Sequence, residues 1–215
     1  SAKTETKAPA TTAAPRGRPR TFDRESVLAC ATQLFWAKGY EATSIADLTE
    51  AMGIGSPSLY AAFGSKQELY VEALRHYHAR YSGFVWNNFF AAQTAREAVA
   101  SFLLDSAAAL TGEVADVPRG CMLTLSSVGS EGHAELGELV RTARAMALTR
   151  LEERITRAVA DGELPPSTDV HARARFIQTI QSGMSLLARD GARRSELEAV
   201  AHRAMLSWDA EQGSP

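Results

Sequence analysis

The stretch SIADLTEAMGIGSPSLYAAFGSK, residues 44–66, has the pattern of two short helices joined by a tight turn, followed by the start of a third helix. Ser44 opens an S-x-x-D cap pattern, and Gly53 suits the left-handed residue that ends a helix. Ser56 is placed to cap the next helix, with a proline in its first turn, where no amide hydrogen is needed. The stretch predicts a helix-turn-helix whose second helix, residues 57–63, would enter the major groove of DNA.

An ordinary αα-hairpin inside a helical protein has the same pattern and is the alternative interpretation. The preceding residues favour DNA, because Arg16, Arg18, Arg20 and Arg24 place four cations in nine positions. Residues 1–20 lack apolar periodicity, so we expect a disordered basic arm that lies along phosphates or in the minor groove. A tail that only increases solubility is the alternative.

The composition of the chain limits which kinds of partner and site it can have. The chain has 215 residues, 45% of them hydrophobic, and a net charge of −2, so any basic DNA-binding surface must be local. No apolar run of about 18 residues and no apolar signal core are present, so we expect no membrane partner and a cytoplasmic location. Two distant cysteines and five dispersed histidines predict no disulfide framework, metal site or cofactor. Cys30 is predicted to be a core residue of the first helix.

Helical periodicity continues through the rest of the chain, and no convincing strand alternation occurs. The first helix is predicted over about residues 23–38. Those after the helix-turn-helix are predicted over about residues 65–90, 94–111, 118–128, 133–160, 169–189 and 195–209. The predicted fold class is therefore all-α, with about nine helices.

Two motifs follow one another within roughly residues 21–75: LFWAKGY at the end of the first helix, then ATSIADLTEAMGIGSPSLYAAFGSKQELY. Together they resemble the TetR/AcrR family of bacterial transcriptional regulators. Beyond residue 75 only the helical pattern agrees. The resemblance implies a homodimer with an N-terminal DNA-binding head and a variable ligand-binding body. The domains implied are a basic arm over residues 1–20, the helix-turn-helix over 21–66, and a ligand-binding and dimerisation domain over 67–215.

The resemblance implies DNA contacts only where this chain matches the family motif. These contacts lie at helix starts and on the recognition helix, and they are Thr43, Ser44, Ser56, Ser58, Tyr60 and Lys66. A helix start at Thr43 and Ser44 is also suited by itself to holding a phosphate oxygen. The chain departs at Ala61 and Ala62, where many members carry a second aromatic residue or a histidine. Alanine cannot hydrogen-bond a base, so the operator sequence stays undetermined.

Aromatic and methionine side chains are concentrated in the predicted fourth to eighth helices, where a TetR-like protein would hold its inducer. The predicted pocket residues are Tyr81, Trp86, Phe102, Met122 and Met146. Few charged residues fall on these faces, so a small, mostly apolar ligand is predicted. A plain helical core is the alternative.

Cys121 offers a second type of signal. It is predicted at the start of the sixth helix, next to Arg119, and both features lower the pKa of a thiol. A redox or electrophile sensor acting through Cys121 is therefore an alternative to the ligand hypothesis. A packed core cysteine is the simpler explanation.

The last two predicted helices carry wide apolar stripes that two copies of the chain could close into a two-fold four-helix bundle. These residues are Phe176, Ile180, Gly183, Met184 and Leu187 on the eighth helix and Leu197, Val200, Ala201, Ala204, Met205 and Trp208 on the ninth. Coverage of both stripes within one chain is the alternative.

The sequence thus predicts a transcriptional repressor, not an enzyme, that is released from a palindromic DNA operator by a small-molecule inducer. No nucleophile-elbow, P-loop, HExxH or Rossmann motif is present to indicate an enzyme. A helical enzyme or an interaction module without DNA binding is the further alternative.

Overall fold

The computed structural model describes residues 22–212, and over that range it contains ten α-helices and no β-strand. The helices are α1 Arg24–Lys38, α2 Ile45–Met52, α3 Ser56–Phe63, α4 Lys66–Tyr81, α5 Gly83–Ala91, α6 Ala95–Leu110, α7 Met122–Leu125, α8 Ala134–Ala160, α9 Val170–Arg189 and α10 Arg194–Gln212. The all-α prediction is confirmed, with one helix more than expected.

The head consists of α1, α2, α3 and the start of α4, packed around one apolar core. Leu48 from α2, Leu59 from α3 and Leu69 from α4 are each fully buried there. The predicted caps of α2 are present, since Ser44 and its partner three residues on form a capping box and Gly53 has φ 66°. The predicted cap of α3 is wrong: Gly55 is the capping residue, and Ser56 is the first residue of the helix.

The predicted long fourth helix is interrupted at Ser82, which separates α4 from α5. Kinks occur at Ser/Gly pairs, because serine competes for backbone hydrogen bonds and glycine adds flexibility. Here Ser82 keeps helical angles, and its carbonyl accepts from the amides of both Val85 and Trp86. The break redirects the aromatic residues of α5 toward α6.

The predicted sixth helix is much shorter than expected, with only four residues in α7. Gly120 precedes it with φ 79°, a left-handed conformation that stops helix propagation. A side chain could not fit there, because an added Cβ would lie 2.9 Å from the Ser185 carbonyl oxygen. The segment therefore crosses α9 in close backbone contact.

The prediction for Cys30 is also wrong. Cys30 is exposed, because the buried face of α1 runs through Val27, Ala31 and Phe35 and leaves Cys30 on the opposite side.

None of the helices between residues 22 and 212 is both long and apolar enough to cross a membrane. No group of three His, Cys, Asp or Glu side chains in that part of the chain is arranged to hold a metal ion.

The start of α6 provides a test of local helix stability away from both candidate sites. Thr94 accepts from the Glu97 amide, and the Glu97 carboxylate accepts from the Thr94 amide in a reciprocal capping box. Thr94→Ala is expected to lower the free energy of unfolding by about 1 kcal/mol, because a helix amide loses its partner. Urea unfolding measures the change. Thr149→Ala, at an exposed position inside α8, is the control and should change stability by less than about 0.5 kcal/mol.

Candidate DNA-binding face and ligand cavity

The recognition helix α3 has one buried face and one exposed face. Leu59 and Phe63 point into the head. Ser56 and Ser58 are exposed, and the Tyr60 side chain is 47% exposed. This face offers two hydroxyl groups and one phenol to a partner, which suits contacts with phosphates and base edges.

Ser44 and Thr43, two predicted phosphate contacts, lie in different environments. The exposed Ser44 accepts at Oγ from the Asp47 amide over 3.0 Å, which leaves its hydroxyl hydrogen free to donate. The amide of Ser44 and then Lys38 lower the pKa of Asp47 to about 2, so this cap stays intact at neutral pH. Thr43 is fully buried, and its hydroxyl donates to the Gly39 carbonyl over 2.6 Å. The Thr43 hydroxyl is therefore already satisfied inside the head, and of these two side chains only Ser44 is exposed.

Arg24 was predicted as part of the basic arm, but it fastens the head together. Its guanidinium donates to Glu72 over 2.7 Å and to the Ala62 carbonyl over 3.2 Å. It also lies 4.4 Å from the centre of the Phe63 ring. These contacts join the start of α1 to α3 and α4. The other three arm residues, Arg16, Arg18 and Arg20, lie outside the described residues.

Lys66 begins α4 and stands at the edge of the head. Its ammonium lies 4.3 Å from the centre of the Tyr40 ring, an attractive cation–π distance. No carboxylate lies within ion-pair distance of this ammonium among residues 22–210. The Tyr40 ring thus positions the Lys66 ammonium, and the N–H donors of that ammonium remain available to a phosphate.

The candidate ligand cavity is a space of about 150 Å³ between the head and the body. Four predicted pocket residues, Tyr81, Trp86, Phe102 and Met146, line it. Met122 does not, because α7 turns that side chain into the head core, where it is 3% exposed. The other main lining residues are Trp36, Tyr77, Phe84, Cys121, Arg144, Arg150, Gln178 and Gln181.

Trp36 connects this cavity to the head. The indole N–H donates to the Gly120 carbonyl over 2.9 Å, and its ring meets Tyr77 at 4.8 Å and Tyr81 at 5.3 Å between centroids. Trp36 belongs to α1, so a helix of the head forms part of the cavity wall. In the sequence, the contact between Trp36 and the cavity is indicated only by the position of Trp36 directly after Phe35, which is buried.

A second connection runs from the end of α9 to the end of α1. Arg189 donates to the Trp36 carbonyl over 2.9 Å and to the Arg119 carbonyl over 2.7 Å. The Trp36 carbonyl lies in the last turn of α1, where a positive charge is favourable. Arg189 thus joins α9, the cavity segment and the head at one point.

Cys121 lies in the cavity wall, but the features expected to activate it are absent. The Arg119 guanidinium donates to the Ala192 carbonyl instead of approaching the thiol. The Tyr77 hydroxyl donates to Cys121 Sγ over 3.3 Å, and burial raises the pKa of Tyr77 well above its usual value. Because α7 is only four residues long, it provides little helix dipole. The thiol-sensor alternative therefore loses both its physical arguments.

The predicted dimer stripes are partly buried within one chain. Met184, Leu197, Ala201, Ala204, Met205 and Trp208 are all buried in the core that α9 and α10 form with α6. Their burial needs no partner, because α6 fills the space expected for a second copy. The apolar side chains left exposed are Phe176, Leu186 and Leu187 on α9 and Leu206 on α10, with Gly183 between them. Ile180 and Val200 are half-buried.

A larger cavity of about 410 Å³ opens beside this exposed surface, between α6, α9 and α10. Phe176, Met205 and Trp208 line it. None of its lining residues belongs to the head, so it has no direct contact through which to influence DNA binding. The cavity beside Trp36 is the better candidate for an effector.

Comparisons with known proteins agree with this arrangement. The pattern described as bacterial regulatory proteins, tetR family, matches residues 27–73. The HTH-type transcriptional repressor ComR of Escherichia coli K12 is 35% identical over 195 residues, which cover 90% of this chain and 92% of ComR. BdcR, a repressor from the same organism, is 49% identical over 61 residues, which cover 28% of this chain and 31% of BdcR.

A solved structure extends the similarity through the body. It is the TetR family regulator CifR, a cysteine-substituted variant in complex with a 26 bp double-strand operator DNA. It is 39% identical, with a TM-score of 0.83, and the match covers 89% of this chain and 100% of CifR. The match includes the body as well as the helix-turn-helix, and ComR matches over nearly its whole length. This chain belongs to the TetR family of bacterial transcriptional regulators.

Proposed function

We propose that this protein is a transcriptional repressor that binds a double-stranded DNA operator through α3 and the start of α4. The observation that carries the proposal is the exposed face of the recognition helix on a chain similar to CifR, which is solved with operator DNA. The similarity to ComR and BdcR, which are both repressors, supports repression over activation. A cytoplasmic location follows from this role.

A gel shift on DNA flanking the encoding gene tests the proposal. Binding should be specific, and it should weaken steeply as salt rises, because phosphate contacts release counterions. Absence of any shift on these fragments, or equal affinity for unrelated DNA, would contradict the repressor function.

Lys66→Ala is expected to weaken binding to operator and unrelated DNA alike, because a phosphate contact adds affinity without sequence information. The slope of log affinity against log salt should fall by about one unit. Tyr60→Phe should act in the same direction, since it removes only the exposed phenol hydroxyl. Fluorescence anisotropy at several salt concentrations measures both changes.

Lys38 provides the matched control for this prediction. Its ammonium is paired with Asp47 over 3.0 Å, so Lys38→Ala should change the salt slope less than Lys66→Ala does. An unchanged affinity and slope in the Lys66 variant would show that Lys66 does not contact phosphate.

The active form is a homodimer in this proposal, with the exposed apolar side chains of α9 and α10 at the interface. The surface combines Phe176, Leu187 and Leu206, each 45% to 57% exposed in the single chain. Gly183 lies among them, and no heavy atom is within 4 Å of where its Cβ would be. A second copy could therefore approach closely there. Two-fold pairing implies a palindromic operator with half-sites about 34–36 Å apart or a multiple of that distance.

The regulatory signal is a small molecule in the cavity beside Trp36. Ligand contacts with Trp36 or Tyr81 would act on α1 and α4, which both belong to the head. Ligand and operator would then favour different arrangements of the head, and each would weaken the binding of the other by the same factor.

A further inference from the structure

The charges in the cavity beside Trp36 are all of one sign. Arg144 and Arg150, both on α8, line it, and no aspartate or glutamate does. The chain as a whole has a net charge of −2, so this local excess of positive charge runs against the composition. The apolar ligand predicted from the sequence does not account for this local positive charge.

The two arginines differ in how many of their donors are free. Arg144 donates to the carbonyls of Leu123, Thr124 and Ser126 over 2.6–3.0 Å, and so holds the turn after α7. Arg150 makes no hydrogen bond or ion pair with the described residues. Its guanidinium carbon lies 5.0 Å from the centre of the Trp86 ring and 5.7 Å from that of Phe90.

An arginine that rests on aromatic rings is positioned without using its hydrogen-bond donors. The planar guanidinium then presents a fork of N–H groups whose spacing matches the two oxygens of a carboxylate. Arg150 is half-buried, so such a pair would be screened less by water than one on the surface. Arg150 is therefore suited to an anionic ligand group.

The rest of the cavity suits an aromatic ring. Tyr77 and Tyr81 lie 5.7 Å apart between ring centroids, and Trp86 meets Phe102 at 4.7 Å. The volume of about 150 Å³ is similar to that of an engineered apolar cavity that holds benzene. The space therefore limits the ligand to about one ring with a short substituent.

We propose that the effector is a small single-ring aromatic carboxylate, with its ring among the tyrosines and Trp86 and its carboxylate on Arg150. This inference rests on the proposed function, because it names the ligand class of the same regulatory cavity. It accounts for both the aromatic walls and the unpaired cation.

Calorimetry on the full chain without DNA tests the inference directly. The probes are benzoate, phenylacetate and 3-phenylpropionate, each compared with its neutral amide, and acetate as an anion without a ring. At least one aromatic carboxylate is expected to bind about 10- to 100-fold more tightly than its amide, the range for a hydrogen bond to a charged group. Acetate should bind more weakly than that carboxylate.

Variants then assign the preference to Arg150. Arg150→Gln is expected to reduce the carboxylate-to-amide ratio to near one, while Arg150→Lys should keep part of it, because the charge remains. Arg157→Gln is the control, since Arg157 is an exposed arginine of the same helix outside the cavity. Circular dichroism confirms that each variant is folded.

Three results would overturn the inference: no binding by any of the three carboxylates at millimolar concentration, binding no tighter than the amides, or an unchanged ratio in Arg150→Gln. None of these results affects the operator gel shift, so the repressor function is tested separately. Conversely, if the protein binds the carboxylate through Arg150 but binds no operator, the cavity assignment stands and the repressor function is refuted.

Discussion

Leu206→Glu and Leu187→Glu are each expected to convert the proposed dimer to a monomer. Both side chains are about half exposed in the single chain, so the substitution is tolerated by the monomer fold. In the dimer, each glutamate would be buried without a partner, at a cost of several kcal/mol. Operator affinity should fall by about 100-fold or more, because two linked heads gain roughly 10²–10⁴ in avidity over one.

Analytical ultracentrifugation measures the mass, and gel shift measures the affinity. Leu139→Glu is the control, because Leu139 is 46% exposed on α8, outside the proposed interface. Ala204→Glu is unsuitable, since Ala204 is 9% exposed in the core of its own chain and a glutamate there would unfold it. A dimer mass for both leucine variants would place the interface elsewhere.

Trp86→Ala is expected to abolish the ligand response while operator binding stays intact. In the wild type, a saturating aromatic carboxylate should weaken operator binding by about 5- to 150-fold, the usual range of coupling between two sites. Trp86 forms the cavity wall between Phe102 and Arg150, and it is remote from the recognition helix. Fluorescence anisotropy with labelled operator, with and without phenylacetate, benzoate or 3-phenylpropionate, measures the response.

Asn87→Ala is the control, because Asn87 is an exposed side chain of the same helix that does not line the cavity. It should retain the response. Cys121→Ser addresses the thiol hypothesis: it should leave the ligand response unchanged, whereas a thiol sensor would lose release by peroxide. If the Trp86 variant responds like the wild type, the effector binds elsewhere.

Local patterns were sufficient to predict the helix-turn-helix. The capping box at Ser44 and the left-handed Gly53 were both predictable, since caps depend on residues three or four positions apart. The break at Ser82 and the short α7 were not, because helical periodicity continues across both. Whether a helix bends or stops there depends on what it packs against, as Gly120 shows by its contact with Ser185 on α9.

The candidate DNA-binding face, dimer interface and ligand cavity also divide into features set by local sequence and features set by tertiary packing. From the sequence alone, the family resemblance and the candidate DNA contacts Ser58, Tyr60 and Lys66 could be named, because they belong to one short segment with its own helical register. Only the tertiary structure decided which stripes of α9 and α10 face α6, that Arg24 holds the head together, and that Trp36 and Arg150 share a cavity wall. These pairings join residues that are 48 to 114 positions apart, and no periodicity within a helix specifies which distant side chain fills the space beside it.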